Sequence, residues 1–245
     1  ITKMSNIHFT STETYRHRVI QLGEDPSTVF NVGALGVENC KNLNLLSRVD
    51  IEKKIHHRLG SRNALITFHP ETLGNNSPQN QFSQLLQALK QYNDLTSIFT
   101  KTNSDTEGRI INFMIDEYCR GNSENAIAVT SMGQLLYLST MAEVDIVIGN
   151  SSSGIIEAPS LKTPTVNIGK RQQGRIKAKS VIDCDCEWKA IVSAIKKGLF
   201  IDKTCNESVY ENPYELDETS AAIIRNLKSY NCQNIQKTFF DIAIG

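Results

Sequence analysis

Asn150-Ser151-Ser152-Ser153-Gly154 is a run of small polar residues, and Glu157 follows three positions later. Backbone N–H groups and serine hydroxyls in such a turn donate hydrogen bonds, and a phosphate is the anion they suit. Asn150, Ser151 and Ser152 belong to this cradle, and Gly154 lets a ligand approach closely. A carboxylate at Glu157 repels a phosphate placed directly beside it. One sugar unit away, its two oxygens suit two ribose hydroxyls. Taken alone, the block is an ordinary serine-rich helix cap, and Glu157 is a carboxylate placed favourably near a helix start.

Three further groups sit where chemistry is possible. His69 ends an apolar run and is followed by Pro70, so its imidazole is held at a chain turn where it can touch a phosphate or exchange a proton. A lone histidine of this kind is equally a structural residue. Arg171 and Arg175 flank Gln172-Gln173-Gly174, and a planar guanidinium suits a diphosphate; the plain alternative is a solvated basic loop. Asn103 and Asp105 fit sugar hydroxyls or a simple Asx-turn.

These residues need a frame. Apolar runs at 64–68, 96–99, 126–129, 144–148 and 164–168 read as strands, with shorter ones at 6–9, 29–32 and 180–183. Helical spacing falls between them, at 13–22, 51–59, 77–89, 108–118, 134–141, 153–161, 187–197 and 217–227. Strands alternating with helices predict an α/β fold with a doubly wound parallel sheet, which binds ligands at the carboxyl ends of its strands. His69, Asn103, the Asn150 block and the Arg171 loop all fall at such ends. Gly33-Ala34-Leu35-Gly36 reads as a flexible joint. The expected division is 1–36, then a main domain over 37–210, then a helix and tail over 211–245.

Composition narrows the classes. The chain has 245 residues, 26 basic and 26 acidic, so its formal charge is zero and a general nucleic-acid binder is not supported. No apolar run reaches the length of a bilayer span, and no membrane role is expected. The six cysteines are scattered, without zinc spacing, as in a reduced cytoplasmic protein. Neither G-x-G-x-x-G nor G-x-x-x-x-G-K-[ST] occurs, so neither a nicotinamide fold nor an ATPase loop is supported. The chain starts at Ile1 without methionine, which suggests processing or a fragment.

Phe68-His69-Pro70, the block from Asn150 through Glu157-Ala158-Pro159, and Pro164-Thr165-Val166-Asn167-Ile168-Gly169-Lys170-Arg171-Gln172-Gln173-Gly174-Arg175 together resemble the UDP-N-acetylglucosamine 2-epimerase family. The hydrolysing branch, which makes precursors of sialic-acid-type sugars, is most similar. Ile1-Thr2-Lys3-Met4-Ser5 and Thr28-Val29-Phe30-Asn31-Val32-Gly33 look like that branch too. The resemblance implies two Rossmann-like halves in a GT-B arrangement, of which this chain would be the C-terminal one with a remnant of the other, and a UDP-sugar as partner. It further implies that Ser151 and Ser152 hold the diphosphate, Glu157 the ribose and Arg171 the UDP end. His69 would be catalytic or touch phosphate, Arg175 and Asn103 would be possible sugar or loop contacts, and Tyr137 would lie near the uracil. The implied chemistry uses no metal and no cofactor. A base takes the C2 proton, UDP leaves C1, and water adds to the resulting glycal to give N-acetylmannosamine. Relatives assemble as dimers or tetramers, so a homo-oligomer is implied.

The sequence departs from that family in one respect. Relatives carry most of an N-terminal half before the Ile-Thr-Lys stretch, including acidic residues thought to move the protons. The expectation is therefore weak UDP binding and no turnover by this chain alone. The alternatives are an epimerase of a UDP-diacetamido sugar such as UDP-N,N'-diacetylbacillosamine, a GT-B glycosyltransferase, and a non-catalytic sugar-nucleotide binder.

Overall fold

Ala64, Leu65 and Ile66 are all buried, as a strand covered on both faces requires. They lie in a computed structural model that describes residues 1–70, 77–102, 106–202, 207–230 and 236–241. In chain order its elements are β1 (His8–Thr10), α1 (Glu13–Gln21), β2 (Val29–Asn31), α2 (Leu35–Asn42), α3 (Arg48–Ile55), β3 (Arg62–Thr67), α4 (Pro78–Leu89), β4 (Leu95–Thr100), α5 (Thr106–Gly121), β5 (Ala126–Val129), α6 (Gly133–Glu143), β6 (Ile146–Gly149), α7 (Ser153–Ile156), β7 (Thr165–Ile168), β8 (Val181–Cys184), α8 (Trp188–Leu199) and α9 (Thr219–Ser229). The chain divides into two compact units, one of Ile1–Asn42 with Pro213–Gly245 and one of Leu43–Asn212.

The larger unit is a six-stranded sheet in the order β5-β4-β3-β6-β7-β8, with every pair parallel. Counted from its own first strand the order is 3-2-1-4-5-6, the Rossmann order, with its switch point between β3 and β6. Both faces are covered. Phe82, Leu85 and Leu89 of α4, Ile111 and Ile115 of α5, and Ile191 and Ile195 of α8 pack with Ile66, Phe99 and Ile148 on one face. Ile51 and Ile55 of α3 and Met141 of α6 pack with Leu65, Ile98 and Val147 on the other. Alternate residues of β3, β4 and β6 thus feed two cores, and the fold is the doubly wound α/β sheet expected from the sequence.

The register places the site. Thr67 pairs with Thr100 on one side and Gly149 on the other, and Gly149 pairs with Asn167. Thr100, Thr67, Gly149 and Asn167 therefore form a row across the carboxyl ends of four strands.

In the smaller unit β1 and β2 pair in parallel. Thr12 caps α1, its hydroxyl accepting from the Tyr15 N–H at 3.2 Å. Buried Glu24 accepts from His8 Nε2 at 2.8 Å and from Lys3 at 3.1 Å, and it also binds Lys237. Burial pushes this carboxyl up, but the hydrogen bonds from Lys237, Lys3 and His8 outweigh it and hold the pKa at about 2.

Four expectations change. The supposed flexible joint opens a helix, α2, because Val37 and Cys40 share a buried face; only Gly33 turns, with φ of 80°. The boundary lies after Asn42, and the segment expected as a separate tail over 211–245 belongs from Pro213 onward with residues 1–42. Helix α3 stops at Ile55 because His56 adopts a left-handed conformation, and Leu59 reaches the core from a loop. The helix expected over 153–161 breaks into α7 and a 3₁₀ turn, Pro159–Leu161, at the proline that cannot continue it.

Candidate functional site

Asn150 follows β6, and His69 lies two residues beyond β3. The Asn150 side chain joins the two ends. Its Oδ1 accepts the His69 N–H at 2.7 Å, and its Nδ2 donates to the His69 carbonyl at 2.8 Å. The Asn150 carbonyl accepts from Arg171 at 3.1 Å and from Gln172 Nε2 at 2.8 Å. Asn150 is fully buried, and these bonds occupy its amide. It was expected to contact nucleotide. Its side chain is spent on His69 instead, so it acts by fixing His69, Arg171 and Gln172 around the switch point.

Gly149 makes that closure possible. Its φ is 141°, and a Cβ there would lie 1.9 Å from the Thr67 carbonyl oxygen. Only glycine lets β6 turn away from β3 at this point.

The serine turn follows. The N–H groups of Ser151, Ser152 and Gly154 make no hydrogen bond to any described residue. Ser152 stands at the N-cap of α7, yet its side chain makes no capping bond. Ser151 meets the helix start instead, its Oγ accepting the Ser153 N–H at 3.4 Å. Because α7 spans only Ser153–Ile156, the dipole of a long helix is missing, and the donors at this turn are local N–H and O–H groups. Gly154 is buried, and a Cβ on it would meet Thr165 Cγ2 at 2.7 Å. Its missing side chain thus serves the packing of α7 on β7.

Beneath the turn runs a chain of hydroxyls. Ser153 Oγ donates to Ser151 Oγ at 2.9 Å, and Tyr137 OH lies 2.7 Å from Ser153 Oγ. Tyr137 OH is 3.2 Å from Thr67 Oγ1, which is 2.8 Å from Thr100 Oγ1. Burial raises the Tyr137 pKa, so the phenol keeps its proton. The resemblance placed Tyr137 near a uracil; its hydroxyl is turned under the serines.

Glu157 ends α7. Its Oε2 is sealed from solvent and has no hydrogen-bond partner among the described residues. Burial raises its pKa to about 7, while its own backbone N–H and the charge of Arg175 pull the other way. A buried carboxylate oxygen lacking a donor is costly until a ligand supplies one. Arg175 and Arg171 are both exposed at the loop after β7. Asn103 falls outside the described residues. The structure thus gathers His69, Ser151, Ser152, Glu157, Arg171 and Arg175 about one sheet edge. Sequence reasoning missed Thr67, Gly149, Ser153 and Gln172. Gly149 stood directly before the serine block, and Gln172 directly after Arg171. A buried Gln172 whose amide bonds a strand-end carbonyl leaves no pattern in sequence.

A family model described as UDP-N-acetylglucosamine 2-epimerase matches residues 1–228. The chain belongs to the UDP-N-acetylglucosamine 2-epimerase family. Within that family it is 43% identical over 185 residues to a Campylobacter jejuni protein named GDP/UDP-N,N'-diacetylbacillosamine 2-epimerase (hydrolyzing), covering 76% of this chain and 48% of that one. It is 40% identical over 249 residues to the Escherichia coli polysialic acid biosynthesis protein P7, covering 99% and 62%. The chain thus spans about half to three-fifths of the length of these relatives. A solved structure titled S. aureus MnaA-UDP co-structure shares its fold, with a TM-score of 0.71 at 18% identity over 98% of this chain and 65% of that one. No helix among the described residues is long and apolar enough to cross a membrane.

Proposed function

We propose that this chain carries the nucleotide site of a hydrolysing 2-epimerase that converts UDP-N-acetylglucosamine to N-acetylmannosamine and UDP. The carrying observation is the sheet-edge arrangement at the switch point. Unspent serine N–H groups, the Arg171 guanidinium and a Glu157 Oε2 without a partner among the described residues lie around one strand junction. The serine turn and Arg171 take the pyrophosphate, and Glu157 accepts from the ribose hydroxyls. His69, pinned by Asn150, stands on the phosphate side. Arg175 tempers the charge of Glu157 at the rim.

The reaction develops negative charge on the departing UDP. A base removes the C2 proton, the C1–O bond breaks, and its electron pair leaves with the β-phosphate. Donors fixed beforehand at that phosphate stabilise the charge as it forms. Water then adds its oxygen at C1 while C2 is reprotonated on the opposite face. Glu157 is assigned to ribose in this scheme, so the carboxylates that move the C2 proton belong to other parts of the enzyme. A GT-B glycosyltransferase loses its ground because the chain belongs to the epimerase family.

A second substrate, a UDP-diacetamido-trideoxy sugar, is favoured by the name of the Campylobacter relative, which refers to N,N'-diacetylbacillosamine. Calorimetric titration of the chain with UDP tests the nucleotide site; no heat at millimolar UDP would sink the proposal. Paired turnover assays of the whole enzyme with the two sugar nucleotides decide the substrate, and absence of turnover with both would leave a binding subunit. The reading includes a homo-oligomer, which light scattering checks.

A further inference from the structure

We propose that Tyr137 is a positioning residue that orders the hydroxyl protons beneath the phosphate cradle, so that Ser151 presents its proton outward. The inference rests on the UDP-binding reading above and adds to it a polarity switch beneath the serines.

The argument is a count of protons. Each hydroxyl has one proton to donate and can accept others. Thr100 Oγ1 donates to the Ile66 carbonyl at 3.3 Å, which leaves its oxygen as an acceptor. Thr67 lies 2.8 Å away and donates to it. Thr67 has then spent its proton, so only Tyr137 can donate across the 3.2 Å separation between them. Tyr137 has a single proton and two neighbours, Thr67 at 3.2 Å and Ser153 at 2.7 Å.

Donated to Ser153, that proton orders the outer chain. Ser153 passes its own proton to Ser151 at 2.9 Å. Ser151 Oγ then accepts from within, and its proton points into the cradle. Donated to Thr67, the Tyr137 proton leaves Ser153 without a donor behind it. The bond from Ser153 to Ser151 then keeps its direction but loses the push from Tyr137, and the Ser151 proton is a weaker donor to an anion. Chained hydroxyls polarise one another, so an anion at Ser151 and the phenol at Tyr137 favour the same polarity. The raised pKa of the phenol keeps the necessary proton in place at working pH. The short helix α7 gives this device its importance, since the cradle has no long helix behind it.

The two ends of the switch respond with opposite signs. Tyr137→Phe removes the donor behind Ser153 and weakens phosphate binding. Thr67→Val removes the competing acceptor, so the Tyr137 proton has only Ser153 to go to and phosphate binding strengthens. A purely structural role for this cluster would weaken binding in both variants.

The test uses calorimetric titration of the full chain and both variants with uridine, UMP and UDP. The expected wild-type result is affinity that climbs steeply with phosphate number. Tyr137→Phe should lower the UDP-over-uridine ratio about tenfold, the scale of one hydrogen bond to a charged group. Thr67→Val should raise the same ratio about twofold. A ratio in Tyr137→Phe equal to wild type, or a fall in both variants, overturns the relay. Should Tyr137→Phe fail to fold, a ratio in Thr67→Val that does not rise overturns it too. A wild-type chain that binds UDP no better than uridine removes the nucleotide site itself, a separate failure visible before any variant is made.

Discussion

The Asn150 side chain and the His69 backbone are joined by two hydrogen bonds, 2.7 and 2.8 Å long, across the point where the sheet reverses its strand order. A side-chain amide here does what a further pair of strand residues would do, and it ties the chain beyond β3 to the chain beyond β6. Asn150→Ala removes both bonds to the part-buried His69 backbone. A loss of about 2–3 kcal/mol in urea unfolding is expected. UDP affinity should fall with it, since Arg171 and Gln172 lose the carbonyl geometry they share. Wild-type stability for Asn150→Ala would show that water replaces the amide at no cost.

Gly149 is held to a stricter requirement. Alanine there must take a φ of 141° and place its Cβ 1.9 Å from a backbone oxygen that cannot move aside cheaply. Gly149→Ala is expected to destabilise by more than about 3 kcal/mol and to abolish UDP binding. Thermal unfolding and UDP titration of the purified variant check both. Gly154→Ala, pressed against a side-chain methyl of Thr165, should cost less.

The comparison of Gly149 with Gly154 shows where sequence reading stops. Strands, helices and the parallel sheet were legible because period and punctuation are local properties. The serine block and Glu157 stood out because their residue types suit a phosphate and a ribose, and the structure places them together after β6. Asn150 was read by type as a ligand group, but its role depends on a residue 81 positions away in sequence. Gly154 was read as room for a ligand, and the structure adds a packing reason, room for Thr165 of β7. The hydroxyl chain from Thr100 to Ser151 was not legible, since it joins β4, β3, α6 and the serine turn, and no spacing in the chain records that. Helix α2 was missed because glycines at 33 and 36 read as a joint, whereas the burial of Val37 and Cys40 decides the matter.

Glu24 makes a second, independent test, in the smaller unit. Its folded pKa of about 2 lies below the ordinary value of 4.5. The folded state therefore binds fewer protons than the unfolded one between these values. The stabilisation is present above about pH 4.5 and is lost as pH falls toward 2. Solvent reaches the ammonium groups of Lys3 and Lys237 and screens the cluster, so roughly 1–2 kcal/mol is expected. Glu24→Gln should lower stability by this amount at pH 7 and lie much closer to wild type near pH 2. Equal stability of the two proteins at pH 7 would remove the cluster from the account.

Glu157 has the opposite sign, and here stability and binding are set against each other. Its pKa is raised from 4.5 to about 7, chiefly by burial, so the folded chain holds a proton that the unfolded chain has given up between those values. Stability without ligand therefore declines as pH rises through that window and stays low above it. Glu157→Gln removes the buried charge and should stabilise the free protein by roughly 1–3 kcal/mol at pH 8, with little effect at pH 4. In the proposed complex ribose hydroxyls donate to the ionised form, so nucleotide binding should pull the pKa down and release a proton near pH 7. UDP-N-acetylglucosamine is the suitable probe because its diphosphate diester does not titrate there. Its affinity should rise from pH 6 to pH 8 in the wild type, and calorimetry in buffers of different ionisation enthalpy should register the proton. In Glu157→Gln the affinity should drop about tenfold at pH 8 and lose its pH dependence, because an amide accepts one ribose hydroxyl less well than a carboxylate accepts two. A variant that is both more stable and equally tight would show that the unpartnered oxygen of Glu157 waits for something other than ribose.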